Sequence, residues 1–112
     1  HLFRTYRLAA QKRERAWGLS FDDFARITSS RCWYCGSEPT SEVPAAGSSK
    51  HRTNGIYRYN GIDRRDNVRG YEVDNCLPCC WRCNCAKNDD TYEAFIAWID
   101  RLVAFRTDQR DA

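Results

Sequence analysis

Apolar side chains recur at helical spacing at the start of the chain. At 100° per residue, Phe3, Tyr6, Ala10 and Trp17 share one face, while Arg4, Arg7 and Arg15 gather on the opposite one. This predicts a helix over 2–17 with a basic stripe suited either to solvent or to phosphate. Ser20 followed by Asp23 has the form of a capping box and opens a short helix with Phe21, Phe24 and Ile27 inward, ending near Ser29 and Ser30. Residues 36–50, with two Pro, two Gly and five Ser or Thr, predict an irregular loop. Asn54-Gly55 and Asn60-Gly61 mark turns. Three strand-like runs follow, 56–59, 61–64 and 71–77, around the polar turn Asp66-Asn67-Val68-Arg69-Gly70, which predicts a hairpin. A short helix is expected from Trp81. Asp90 and Glu93 are expected to cap a last helix whose apolar stripe is Tyr92, Phe95, Ile96, Ile99, Leu102 and Val103. The class is α+β, read as a single domain: a helical region 1–30, a core 31–90 and a C-terminal helix 91–106.

Size and cysteine content change this picture. With 112 residues and 13.1 kDa there is room for one modest core, and domains this small often carry a structural metal. No run approaches the roughly 20 apolar residues of a membrane span, so no membrane partner is expected. The chain has no Met, so its N-terminus is read as processed or trimmed, and a lost targeting segment stays open. Seven cysteines is an odd number for a disulfide scaffold. Three pairs have Cys-x-x-Cys spacing, 32/35, 76/79 and 80/83, and two such knuckles close a tetrahedral zinc site. Cys80 and Cys83 precede a polar, helix-compatible stretch. Cys76 lies in an apolar run and is expected to pack as a small hydrophobe. The expected ligands are therefore Cys32, Cys35, Cys80 and Cys83, with Cys79 in place of Cys80 as the alternative and Cys79 and Cys85 otherwise free.

Four thiolates around a divalent ion carry −2, which takes the formal charge from +3 to about +1. Beside the knuckles stand Asp63-Arg64, Asp74-Asn75, Asn84 and Lys87, side chains suited to a hard metal and to phosphate rather than to zinc. Each alone reads more simply as a turn residue, a cap or a solvated charge. Three other motifs fail. Gly55-Ile56-Tyr57 lacks the Tyr-Ile-Gly partner of a second nuclease motif. Pro78 stands one residue out of register for a zinc deaminase, and neither His1 nor His51 has Glu two residues on. No strand-helix-strand pattern surrounds either knuckle, as a thioredoxin-like pair requires.

Taken together, Asp63-Arg64, Asn75, Asn84 nine residues later, Lys87 three beyond that and the two knuckles resemble the HNH (His-Me finger, ββα-metal) endonucleases, in their four-cysteine zinc subgroup. The match runs from Cys32 to Lys87, and the flanking helical segments resemble those that accompany the subgroup. Short forms of this kind are frequent in phage and mobile elements. The resemblance implies a small ββα-metal core with a four-cysteine zinc staple, acting on DNA in the cytoplasm of a bacterial or phage-infected cell, as a homodimer or within a larger assembly. It implies phosphodiester hydrolysis leaving 5′ phosphate, with Mg²⁺ or Mn²⁺ held by Asp63 and Asn84, Asn75 fixing the loop between the strands, and Lys87 contacting phosphate. The sequence departs from the pattern where a His acting as general base is expected. Arg64 stands there and stays protonated, so it is expected to grip phosphate instead. Proton removal is then expected to fall to a metal-polarised water or to His51, the one internal histidine. Two other functions fit the same residues: a nucleic-acid-binding module whose nuclease site has decayed, and a structural or protein-interaction zinc domain.

Overall fold

The computed structural model describes residues 1–44 and 55–111. Three helices and two small antiparallel sheets precede the long last helix: α1 (Leu2–Lys12), α2 (Phe21–Thr28), β1 (Ser41–Pro44), β2 (Ile56–Tyr59), β3 (Gly61–Arg64), a 3₁₀ turn (Val73–Asn75), β4 (Cys76–Cys79), α3 (Trp81–Lys87) and α4 (Tyr92–Asp111). β1 pairs with β2 and β3 with β4. In the second pair Gly61 faces Cys79, Ile62 Pro78, Asp63 Leu77 and Arg64 Cys76.

Local chemistry explains the helix starts. Asp23 N–H donates to Ser20 Oγ at 3.1 Å and Ser20 N–H to Asp23 Oδ2 at 3.2 Å, a complete capping box. The Ser20 hydroxyl holds the Asp23 carboxyl below the usual range. The last helix is capped by Thr91, whose Oγ1 accepts from Ala94 N–H at 3.1 Å, not by the expected Asp90. It runs to Asp111, past the expected end at 106.

The core joins α1 and α2 to the β3–β4 sheet. Leu19, Phe24, Ile27 and Cys76 are buried, with Leu2, Phe3, Tyr6, Trp17, Ile62 and Tyr71 packed on them. Its aromatic pairs meet edge to face, Phe3–Phe24 at 5.3 Å, Tyr6–Phe24 at 5.5 Å and Phe3–Trp17 at 5.6 Å between centroids, the arrangement ring quadrupoles favour.

Several expectations are corrected. The first helix stops at Lys12, so Trp17 and Arg15 leave it: Trp17 reaches the core through a bridge to Tyr71, and Arg15 turns to the carbonyl of Asn67 at 3.0 Å. The basic stripe is thus reduced on α1 to Arg4 and Arg7. Phe21 is 61% exposed rather than inward. Residues 41–44 lie inside the expected loop, yet form β1 and capture β2. The segment 71–75 is not strand, and β4 begins only at Cys76. Asn60 is no exposed turn residue. It is fully buried, its N–H donates to Thr28 O and its side-chain amide to Ser30 O, and this anchor separates β2 from β3. On α4 only Phe95 is buried, and Leu102, Val103 and Phe105 stand exposed.

The turn after β3 is sewn to the segment behind α1. Gly18 N–H donates to Tyr71 O at 2.7 Å and Tyr71 N–H to Ala16 O at 2.8 Å. A Cβ at Gly70 would lie 2.5 Å from Ala16 O and 2.7 Å from Ala16 N, both backbone atoms that cannot swing aside. Gly70→Ala is therefore expected to destabilise the zinc-loaded protein by about 1–3 kcal/mol, read as a lower urea midpoint.

Candidate functional site

Two of the three Cys-x-x-Cys pairs converge. The sulfurs of Cys32, Cys35, Cys80 and Cys83 all lie within 4.8 Å of one another, and Cys35 Sγ and Cys80 Sγ are 3.7 Å apart. A zinc ion with 2.3 Å bonds to four sulfurs requires tetrahedral edges of about 3.8 Å, so the donors fit that metal in kind and in spacing. The first knuckle turns at Gly36, whose φ of +76° is one that L side chains rarely adopt. Trp33 N–H hooks it to Pro78 O at 2.8 Å, at the end of β4. In the second knuckle Cys80 caps α3, its sulfur accepting from Cys83 N–H at 3.4 Å. A hydrogen bond with Ser37 brings the Cys35 thiol down to about 6, while burial raises Cys83 well above the usual range. Cys76 and Cys79 stay outside the cluster: burial pushes Cys76 up to about 12 and raises Cys79 as well, and both pack as thiols. Cys85 is exposed.

Beside this centre, the β3–β4 sheet and α3 gather most of the polar residues singled out in the sequence. Asn75 is 1% exposed, and its side chain laces the turn: Oδ1 accepts from Asp66 N–H at 2.8 Å, and Nδ2 donates to Asp66 O and to Gly70 O at 3.1 and 2.9 Å. Arg64 points into the same turn. Its NH1 group donates to Asn67 O and Arg69 O, both at 2.7 Å, and its guanidinium lies 5.7 Å from the centroid of the Tyr71 ring. These donors brace the backbone of 66–70 rather than stand open to a phosphate.

Asp63 projects from β3 towards α3 and the first knuckle and is 8% exposed. Its Oδ1 is 3.2 Å from Lys87 Nζ, and its Oδ2 accepts from the Tyr34 hydroxyl at 2.5 Å. Burial, followed by the bond to Asp63, raises Tyr34 well above the usual tyrosine range. Tyr34 escaped the sequence reading, because a residue between two knuckle cysteines carries no spacing signal that ties it to a strand 29 positions on. Asn84 lies one turn before Lys87 and is exposed. It lines a cleft of about 150 Å³ with Tyr6, Tyr59 and Trp81, which Asp63 does not line. His51 lies outside the described residues. Carboxylate and amide oxygens suit Mg²⁺ or Mn²⁺ in kind. In this arrangement both oxygens of Asp63 are engaged by Tyr34 and Lys87, and Asn84 opens onto the cleft.

No protein-family model matches the chain. Uncharacterized protein R423 of Acanthamoeba polyphaga mimivirus is 30% identical over 91 residues; these cover 81% of this chain, which spans only 14% of the viral protein. Among solved structures, that of the rare-cutting HNH restriction endonuclease PacI superposes with a TM-score of 0.61 at 23% identity, covering 97% of this chain and 78% of that one. The fold is thus HNH-like, with a four-cysteine cluster whose donors fit a metal ion.

Two outcomes are expected. Elemental analysis should find one zinc per chain, lost with the fold in Cys80→Ser and kept in Cys85→Ser. Asp63→Ala should cost about 3–5 kcal/mol in urea unfolding of the zinc-loaded protein, because it strands a buried ammonium.

Proposed function

We propose that the chain is a DNA endonuclease that hydrolyses phosphodiester bonds and leaves 5′ phosphates, acting in the cytoplasm of a bacterial or phage-infected cell. The observation that carries this reading is the likeness of nearly the whole chain to an HNH restriction endonuclease, PacI. Two features of the chain itself support it. The β3 turn is held by Asn75 and Arg64 through five hydrogen bonds, as a loop that must meet DNA in one geometry requires. Asn84 stands on α3 as an exposed amide with no side-chain hydrogen-bond partner among the described residues, free to meet a ligand. In this reading Arg64 acts on the phosphate through the turn it braces.

A second reading is favoured by the closed state of Asp63: a zinc-stapled DNA-binding domain that does not cleave. Supercoiled plasmid separates the two. The zinc-loaded protein is incubated with added Mg²⁺ or Mn²⁺ and with neither. A chelator is avoided, because stripping the zinc would unfold the protein whatever its activity. The endonuclease should produce nicked or linear DNA with ends that ligate directly. Asn84→Ala should abolish this while keeping its zinc, and Arg64→Ala should slow it by about a hundredfold. Intact plasmid, together with DNA retention that weakens steeply with salt, would leave the binding domain standing.

A further inference from the structure

Lys87 is the most deeply buried charge of the described residues, with 1% of its surface exposed, and it lies in the last turn of α3. Its ammonium has one hydrogen-bond partner among those residues, the Asp63 carboxylate. The other oxygen of that carboxylate is held by Tyr34, a residue of the first knuckle. An ammonium out of water is tolerated only beside a counter-charge, and a carboxylate so buried equally needs one. The two satisfy each other, and the tyrosine hydroxyl completes the set.

This arrangement is hostile to a second cation. A hard divalent ion would need an Asp63 oxygen at about 2.0–2.1 Å and a shell of further oxygens and water. Here the neighbours of Asp63 are two hydrogen-bond donors, an ammonium and a phenol, and a dication would stand against the fixed positive charge in a poorly solvated place where like charges repel strongly. Among the described residues, the four-cysteine cluster is the one group of three or more His, Cys, Asp or Glu side chains gathered to hold a metal.

We infer that Lys87 is the resident cation of Asp63, an ammonium that fills the place of a hard metal ion and excludes one from this carboxylate while it is charged and seated. The conclusion rests on the geometry of three side chains and needs no cleavage activity, so it stands or falls apart from the proposed function.

The test is a titration of the zinc-loaded protein with Mn²⁺, followed by water-proton relaxation and by the electron paramagnetic resonance signal of the free ion. Wild-type protein should show at most weak binding. Lys87→Met removes the ammonium and keeps a stem of similar length, so it should bind one Mn²⁺ at least about tenfold more tightly, a gain that Lys87→Met combined with Asp63→Asn should lose. Circular dichroism and zinc content establish that each variant is folded. Should Lys87→Met not fold, Lys87→Gln keeps a donor for Asp63 without the charge and should show the same gain. Unchanged Mn²⁺ binding in the neutral variant, whether tight or absent in both proteins, would overturn the inference. So would a gain that survives the loss of the Asp63 carboxylate.

Discussion

Four cysteine sulfurs within 4.8 Å of one another in a half-buried place offer the donor set of a structural metal, and as thiolates they would need a cation between them. The pairs lie on either side of 44 residues, Gly36 to Cys79, which include all four strands. Closing so long a loop costs chain entropy, a loss that a metal bound by the four cysteines would offset. The β3–β4 sheet has four residues a side and would be marginal in water by itself. It lies between the four-cysteine cluster at one end and the Asn75-laced turn at the other.

The aromatic core of α1 and α2 serves the same sheet from the opposite side. Cys76 enters that core although it looks, in sequence, like half of a third knuckle. The two are equally buried, and their place in the chain distinguishes them: Cys76 opens β4 and turns to Leu19, Phe24 and Ile27, whereas Cys80 lies beyond the end of β4, where the chain turns into α3.

Much of this was legible from local pattern. The capping box of Ser20, the two ligand knuckles, the strand of Asp63 and Arg64 and the helix after Cys80 all follow from residues within a few positions of one another, and the structure has them where the sequence indicates. What was not legible depends on distant partners. Ser41–Pro44 has no strand signal of its own and becomes β1 because β2 offers it an edge. Phe21 has the helical phase of an inward residue, but α2 is short and its core face is filled by Phe24 and Ile27. The stripe on α4 outruns its cover: Phe95 is buried, Ile96 and Ile99 are half-buried, and the helix continues with Leu102 and Val103 exposed. The resemblance implied a metal for Asp63, and nothing in the local pattern announced the side chains that meet its oxygens, which come from a knuckle and from α3.

Cys80 ties the four-cysteine cluster to the helix that follows it, since one sulfur belongs to that cluster and also accepts the Cys83 N–H in the first turn of α3. This has a consequence for the order of events during synthesis. A chain made from its N-terminus delivers α1, α2, the first knuckle and all four strands before Cys80 and Cys83 exist. A metal that takes all four sulfurs can close its shell only once the second knuckle has emerged, so during synthesis such a staple across the four strands would form late and only with metal supplied.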